Sequence, residues 1–315
     1  MQNCVVIYNP NSGKLSNRED IKKIHKILEN YGYETKIIYT EYRGHAKEIT
    51  KKLKDCDLLL CAGGDGTLNE VISGNIERKH PILLGHLPLG SVNDVAHMYG
   101  MTNDTIKNIA LLLNGVEKNI DVCLINGSPF VYVACIGAFV DVSYATPRKL
   151  KEKYGRMAYI LYAIKELRQK MVFHKVKYTV DGVTYDDEFS FFFVTNSNRV
   201  AGVSVKNILD DVKLDDNMFE VLMLKVKNKF DILKILHYLK RRELNDIPGV
   251  TYFKTNNIKF EFEDVPPSWC IDGDEMTHNE KVFEITINKD NHMLLPSKNV
   301  SLLFENKGND EEDEN

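Results

Sequence analysis

The first third of the chain alternates short apolar segments with segments whose apolar residues recur at helical spacing. The apolar segments are predicted strands at residues 4–8, 35–40, 57–61 and 81–87. Ile24 and Leu28 share one face of the first predicted helix, a second helix should start near Gly44, and a third should follow the strand 57–61. Such alternation predicts a parallel sheet with helices on its faces, and ligands bind these sheets beyond the carboxyl ends of the strands.

The stretch CAGGDGTLNEV, residues 61–71, stands at one of these strand ends. Gly63, Gly64 and Gly66 permit positive φ and allow a bulky group to approach the main chain. Backbone N–H groups and the N-terminus of the next helix then favour an anion, above all phosphate. Asp65 would repel phosphates unless it contacts Mg²⁺, directly or through water, or a ligand hydroxyl. The alternative is a plain glycine turn with a helix-capping aspartate.

Three further loops with polar or glycine residues follow the other predicted strands. They are YNPNSGK at 8–14, TEYRGHA at 40–46 and LPLGSVNDVA at 87–96. Each loop alone is ordinary. Because the carboxyl ends of parallel strands meet at one edge of the sheet, four such loops together predict one binding site.

The rest of the chain is predicted to be mostly β. Asp181-Gly182 between two alternating runs is a strong hairpin signal. Further predicted strands lie at 188–196, 218–226, 255–263 and 281–288, and helical patterns lie near 155–170 and 229–242. The triple phenylalanine at 191–193 is expected to belong to the core more readily than to an acyl pocket.

Composition narrows the possible partners. The chain has 315 residues, of which 43% are hydrophobic, and a net charge of −4, so nothing favours a nucleic acid partner. Six cysteines show no paired spacing and are expected to be free thiols. No secretory signal is expected, and no apolar stretch is long enough to span a bilayer, so any membrane contact would be peripheral. Residues 306–315 are expected to form an acidic, disordered tail.

The motifs, taken in order, resemble the diacylglycerol kinase catalytic-domain family, in particular the soluble bacterial lipid kinases. NPNSGK, GGDGTLNE and LPLGSVNDVA carry the resemblance, and YGRMAYI, TNSNRVAG and LDDNMFEV follow in family order. GGDGT alone is shared with NAD kinases and, loosely, with phosphofructokinases. The resemblance implies an α/β domain like that of those enzymes at 1–123, with a return segment at about 297–305. It also implies a β-sandwich domain at 124–296 that holds the lipid.

The resemblance also implies the site residues. Those expected to line an ATP site are Asn9, Pro10, Asn11, Ser12, Gly13, Thr40, Gly64, Asp65, Gly66, Thr67, Leu68, Asn69, Glu70 and Ser91, where Ser91 keeps the hydroxyl of the family's threonine. Asp94 and Asp121 would join Asp65 in a polar network around the phosphates. Mg²⁺ would be held by Asp216 and the carbonyls of Lys213 and Met218. Asn217 replaces the family's glycine and tolerates a left-handed φ.

The family's general base is the glutamate of a DGE motif, and this chain has Asp272-Gly273-Asp274 followed by Glu275. Three interpretations stay open. Asp274 could serve after a slight backbone shift, Glu275 could swing in, or the site could be weak or specialised for another acceptor. We favour Asp274, because positioning and charge neutralisation supply most of the catalysis of phosphoryl transfer.

The resulting expectation is an ATP-dependent lipid kinase with diacylglycerol as its default acceptor and Mg²⁺ as its metal. Its partners would be ATP and a membrane lipid. It would be cytoplasmic, with peripheral contact to the inner, anionic face of the membrane, and could form a homodimer. Two alternatives remain. One is a NAD kinase-type enzyme with a soluble acceptor, and the other is a non-catalytic nucleotide- or lipid-binding regulator, which the missing glutamate would explain.

Overall fold

The computed structural model describes residues 2–12, 18–54, 56–102, 104–137, 171–200, 203–204, 209, 211–228, 230–231, 234–235, 244–297 and 300–305. The chain forms two compact units, one of Met1–Val122, Lys213–Asp216 and Asn288–Asn315, and one of Cys123–Val212 and Asn217–Ile287. The helix predicted near 155–170, most of the helix predicted at 229–242 and the tail at 306–315 lie outside the described residues. Within the described ranges, no helix has the length and apolar character needed to cross a bilayer.

The first unit is an α/β unit built on one six-stranded sheet. Its strands are β1 (Gln2–Tyr8), β2 (Tyr33–Tyr39), β3 (Leu58–Gly63), β4 (Leu84–Pro88), β5 (Val116–Asn119) and β20 (His292–Leu295). The order is β2-β1-β3-β4-β20-β5. The first four strands pair in parallel, and β20 runs parallel to β4 and antiparallel to β5. All six residues of β3 are buried, as expected for a strand covered on both faces.

This unit also contains six described helices. They are α1 (Arg18–Asn30), α2 (His45–Lys52), α3 (Asp65–Ile76), α4 (Asp94–Met98), α5 (Thr105–Leu113) and α6 (Val300–Leu303). Ile24 and Leu28 of α1 are buried with Leu60 of β3 and Leu112 of α5 in one core. The predicted parallel sheet with flanking helices is therefore confirmed.

The second unit is mostly antiparallel β. Its strands are β6 (Val122–Ile125), β7 (Ser128–Phe130), β8 (Val133–Gly137), β9 (His174–Val180), β10 (Val183–Phe189), β11 (Phe191–Thr195), β12 (Arg199–Val200), β13 (Val203–Ser204), β14 (Phe219–Leu224), β15 (Val250–Thr255), β16 (Ile258–Phe262), β17 (Trp269–Ile271), β18 (Asp274–Met276) and β19 (Val282–Asn288), and a short 3-10 helix spans Leu244–Asp246. The two main sheets have the orders β10-β9-β16-β19-β6-β7 and β15-β14-β11-β8-β17-β18, and β12 and β13 form a small ribbon.

Aromatic side chains from both sheets fill the core of the second unit. The ring of Phe192 on β11 lies 5.7 Å from Phe260 and 5.1 Å from Phe262 on β16. Trp269 on β17 lies 5.4 Å from Phe283 on β19. This interdigitation of two sheets confirms the predicted sandwich, and Phe192 belongs to its core.

The hairpin predicted at Asp181-Gly182 is confirmed, with φ of 51° and 78° at the two turn residues and β9 paired with β10. The single strand predicted at 188–196 is wrong, because the chain changes sheets at Ser190. The Ser190 hydroxyl donates to the carbonyl of Leu224 (3.1 Å) and accepts from the N–H of Val226 (2.9 Å), so side-chain bonds fix the corner.

Phe192→Ala is expected to lower the free energy of unfolding of the second unit by about 3–5 kcal/mol, because it removes a fully buried ring and leaves a cavity. Urea titration followed by the fluorescence of Trp269, the single tryptophan and a member of the same core, measures this change. Phe230 is 61% exposed, so the control Phe230→Ala should change stability by less than about 0.5 kcal/mol. Equal losses in the two variants would contradict the core assignment.

Candidate functional site

The loop after β3 touches the loop after β4 at two glycines. A Cβ on Gly64 would lie 3.1 Å from the Cα of Gly90, and a Cβ on Gly90 would lie 2.6 Å from the Cα of Gly64. Gly64 itself is extended, at φ −87°, and among the described glycines neither Gly63 nor Gly66 has a positive φ. The expectation of positive φ in this motif is therefore wrong. These glycines serve close backbone packing instead.

Asp65 links the same two loops. It is the first residue of α3 and is 9% exposed. Its carboxylate accepts the N–H groups of Asp94 (3.0 Å) and Val95 (3.4 Å) at the start of α4. Asp94 is fully buried. The structure thus brings together Asp65 and Asp94, two members of the predicted polar network, through a carboxylate-to-backbone bond.

The loop after β1 folds onto the first turn of α3. The Asn9 side chain donates to the Thr67 hydroxyl (2.9 Å) and accepts the N–H of Asn11 (3.0 Å). The Ser12 hydroxyl accepts the N–H of Gly64 (3.4 Å). Pro10 is exposed. Gly13, also predicted here, lies outside the described residues. Three of the four predicted loops thus meet around the start of α3.

The loop after β2 is fixed to the same helix by Glu70. Its carboxylate accepts the N–H of Gly44 (2.7 Å) and of Ala46 (3.1 Å) at the start of α2. Thr40 is 6% exposed, and its N–H donates to the carbonyl of Tyr8 (2.9 Å). Glu70 therefore holds a loop, and its predicted contact with a ligand stays a prediction.

The remaining residues predicted for nucleotide binding differ in accessibility. Ser91 is exposed on a turn closed by Asn93, whose side chain accepts the N–H of Gly90 and donates to its carbonyl, both at 2.8 Å. The side chain of Leu68 is fully buried, so only its main chain could reach a ligand. Asn69 accepts the Ser73 hydroxyl at 3.3 Å. The exposed hydroxyl of Ser91 and the N-terminus of α3 suit an anion.

His86 of β4 is a residue of this site that the sequence did not reveal. It is fully buried, and its Nε2 lies 3.2 Å from the Gly63 carbonyl. Burial lowers the pKa of His86 to about 4, and the Gly63 carbonyl only partly opposes this shift. The ring is thus neutral near pH 7 and donates a hydrogen bond to the glycine loop. Nearby, burial and then the charges of Glu70 and Asp65 raise the pKa of the Cys61 thiol, which stays protonated.

The segment predicted to bind Mg²⁺ is held by backbone bonds. The N–H of Asp121 donates to the carbonyl of Leu214 (2.7 Å), and the N–H of Leu214 donates to the carbonyl of Leu303 (2.8 Å). Asp121 is 7% exposed, and Asp216 is partly buried. Asn217 has φ 59°, the left-handed conformation expected where the family has glycine.

The donors of the predicted Mg²⁺ set fit a hard cation. One carboxylate, from Asp216, and the carbonyl oxygens of Lys213 and Met218, completed by water, are the oxygen ligands that Mg²⁺ prefers. The described residues hold no cluster of three or more histidine, cysteine or carboxylate side chains suited to a metal. The predicted set has only one carboxylate and two backbone carbonyls, so a search for such side-chain clusters does not test it. The Mg²⁺ ligands therefore stay a prediction.

In the second unit, the Asp272-Gly273 pair forms the two-residue turn between β17 and β18, with φ of 49° and 89°. The Asp272 carboxylate accepts three backbone N–H groups, those of residues 131, 132 and 133, at 2.7, 2.9 and 3.1 Å. Its own N–H donates to the carbonyl of Val133 (2.9 Å). Asp272 is therefore a structural anchor, which a sequence motif cannot show because its partners lie about 140 residues away.

Asp274 and Glu275 follow on β18, an edge strand of its sheet, and both are exposed. Successive side chains of a strand point to opposite faces. An acceptor that approaches one face of this hairpin can therefore meet only one of the two carboxylates without a rearrangement of β18.

The free energy of unfolding of the first unit should fall at acidic pH, because His86 binds a proton more readily in the unfolded chain. The pKa of the folded state, about 4, lies below the unfolded value of 6.5, so between these values the unfolded chain binds the extra proton. The loss should begin below pH 6.5 and reach about 3 kcal/mol near pH 4. Circular dichroism during urea unfolding at pH 7.5 and 5 would measure it. His86→Gln should show a shallower decline, and identical declines would contradict the assignment.

Asp272→Asn is expected to destabilise the second unit by about 2–4 kcal/mol, because the amide replaces one acceptor oxygen with a donor facing buried N–H groups. Trp269 fluorescence in urea would follow the loss. Asp274→Asn on the exposed strand is the matched control and should unfold like the unchanged protein. A stable Asp272→Asn variant would refute the anchor role.

Comparisons with known proteins cover almost the whole chain. A family model for the diacylglycerol kinase catalytic domain matches residues 3–125. A diacylglycerol kinase of Staphylococcus aureus is 31% identical over 98% of this chain and 97% of its own, and one of Bacillus subtilis is 32% identical over 82% and 86%.

Solved structures share the fold. A diacylglycerol kinase from Bacillus anthracis matches with a TM-score of 0.72 and 21% identity, over 93% of this chain and 97% of that one. A second structure from the same organism gives a TM-score of 0.76 at 24% identity, over 93% and 95%. The solved structures thus show a shared fold, and the two sequence relatives show that the chain belongs to the diacylglycerol kinase family.

Proposed function

We propose that this protein transfers the γ-phosphate of ATP to a lipid hydroxyl and converts diacylglycerol to phosphatidic acid. The observation that carries the proposal is the likeness to diacylglycerol kinases along nearly the full chain. We assign nucleotide binding to residues 1–123 with the return segment 297–305, and lipid binding to residues 124–296.

The edge of the parallel sheet supports the choice of a nucleotide. Its loops carry hydroxyls at Ser12 and Ser91, and the N-terminus of α3 lies at the same edge, where the helix dipole favours an anion. The carboxylates of Asp65 and Glu70 accept hydrogen bonds from backbone N–H groups, which reduces their electrostatic repulsion of phosphates. The loops are cross-linked by hydrogen bonds, so little ordering would be needed on binding.

In the proposed reaction, the protein mainly positions the two substrates and neutralises the charge on the phosphate groups. Phosphoryl transfer requires alignment of donor and acceptor and stabilisation of charge on the phosphate oxygens. Mg²⁺, when bound through Asp216 and the carbonyls of Lys213 and Met218, would supply positive charge to the phosphates. Asp94 and Asp121 would complete the polar network with Asp65.

Asp274 would accept the proton of the lipid hydroxyl. It is exposed at the end of a hairpin that Asp272 fixes through three hydrogen bonds, so its backbone is well defined. Aspartate reaches one methylene less far than the family's glutamate, and small misplacements of a base are costly. Asp274 follows Gly273 directly, as the family's glutamate does, whereas Glu275 points to the opposite face.

The proposed partners are ATP and a membrane lipid, with peripheral contact to the anionic inner face of the membrane from the cytoplasm. A homodimer is compatible with this proposal, and nucleic acid has no part in it. Neither a NAD kinase-type enzyme nor a non-catalytic regulator has support among the relatives, which are named as diacylglycerol kinases.

Phosphate transfer from labelled ATP into mixed-micelle lipids tests the proposal. The panel contains diacylglycerol, phosphatidylglycerol, a sphingoid base and a polyprenol, with NAD as the soluble control. Diacylglycerol should be labelled, and Asp274→Asn should lower the rate by about 10²–10⁴-fold because it removes the base.

Two matched variants locate the base. Asp274→Glu restores the family's side chain and should retain transfer, and Glu275→Gln should leave the rate near that of the unchanged protein. Saturable ATP binding without transfer to any acceptor would favour the regulator, and labelling of NAD would favour the soluble-acceptor enzyme. Loss of transfer in Glu275→Gln but not in Asp274→Asn would reassign the base to Glu275.

A further inference from the structure

An exposed aromatic pair lies at the start of α2, next to the loops of the candidate nucleotide site. The rings of Tyr42 and His45 are stacked, with centroids 4.5 Å apart and an interplanar angle of 6°. Tyr42 is nevertheless 53% exposed. Because His45 covers one face of the phenol ring, the exposed area lies largely on the other face.

The imidazole ring of His45 is held by a hydrogen bond. The Nδ1 of His45 accepts the N–H of Glu41 (3.0 Å), and the N–H of His45 donates to the carbonyl of Tyr42 (3.2 Å). Stacking on this imidazole restricts the rotamers of Tyr42, which lowers the entropic cost of stacking a ligand on its other face.

The pair is tied to the glycine loop through α3. The carboxylate of Glu70 on α3 accepts the N–H groups of Gly44 and Ala46, which flank His45. Asp65, in the glycine loop motif, is the first residue of the same helix. Asp65 and Glu70 are five positions apart on α3, which separates their backbone positions by about 8 Å along the helix axis. The ribose and phosphates of a nucleotide can span such a separation, with phosphates at the glycine loop and the base at the aromatic pair.

We propose that the Tyr42–His45 pair is the stacking surface for the base of the bound nucleotide. This inference rests on the proposed function, because it takes ATP as the phosphate donor, and it names the part of the site that holds the base. Every nucleobase has a π-face, so a flat aromatic surface binds the base without reading its hydrogen-bonding edge. The pair therefore confers affinity for a nucleotide over a bare polyphosphate, with little choice between purines.

Tyr185 offers a matched control. It is 48% exposed and stacks on Tyr178 with centroids 5.0 Å apart and an interplanar angle of 16°, but it lies on β10 of the second unit. A Tyr185→Ala variant thus loses a similar exposed stacked ring from a surface without a phosphate-type loop.

Calorimetric titration of the full chain with ATP, GTP and inorganic triphosphate, each with Mg²⁺, tests the inference. Tyr42→Ala should weaken the binding of ATP and GTP roughly 10-fold, the effect of losing one base–aromatic stack, and should leave triphosphate binding unchanged. Tyr42→Phe keeps the ring and should lose much less. Tyr185→Ala should bind all three ligands like the unchanged protein.

Two results would overturn the inference while the proposed function stands. One is equal ATP affinity in the unchanged protein and in Tyr42→Ala. The other is a parallel loss of triphosphate binding, which would mean that Tyr42 only supports the loops. Absence of ATP binding by the unchanged protein would instead overturn the proposed function together with this inference.

Discussion

One buried carboxylate, that of Asp65, joins the two strand-end loops on which the candidate nucleotide site is built. It begins α3 and accepts two N–H groups at the start of α4, while Gly64 and Gly90 bring the same loops into backbone contact. A charged group so little exposed is stable only when its oxygens are hydrogen-bonded, and here the backbone supplies the donors. The geometry of the edge depends on this contact, since any side chain on either glycine would push the loops apart.

The second unit uses the same device. Asp272 accepts three N–H groups from residues 131–133, at the start of β8, and thereby fixes the hairpin that carries Asp274. Structure and proposed chemistry are thus divided between neighbouring aspartates. The buried aspartate, Asp272, holds the turn, and the exposed one, Asp274, has the proposed catalytic role. Glu70 follows the same logic in the first unit, where it holds the loop that carries the Tyr42–His45 pair.

These carboxylates show where sequence reasoning reaches its limit. The family resemblance predicts that Asp65 and Glu70 line a nucleotide, and the structure shows each bonded to the backbone of another loop. Those partners are 24–30 residues away, and no periodicity or local motif encodes them. His86 was not predicted for a related reason. A single histidine in an apolar strand resembles an ordinary core residue in the sequence, and only the structure shows its hydrogen bond to the Gly63 carbonyl.

The sequence by itself determined the fold class, the family and the strand ends at which the candidate site is predicted. Apolar periodicity and turn residues act over a few positions, so the order β1 to β4 and the hairpin at Asp181-Gly182 can be read directly. Only the tertiary structure decided that the glycine loop is extended, that the chain changes sheets at Ser190 and that Asp272 is an anchor. These features depend on which distant backbone groups need a hydrogen-bond partner once the chain is packed, and that demand exists only in the folded state.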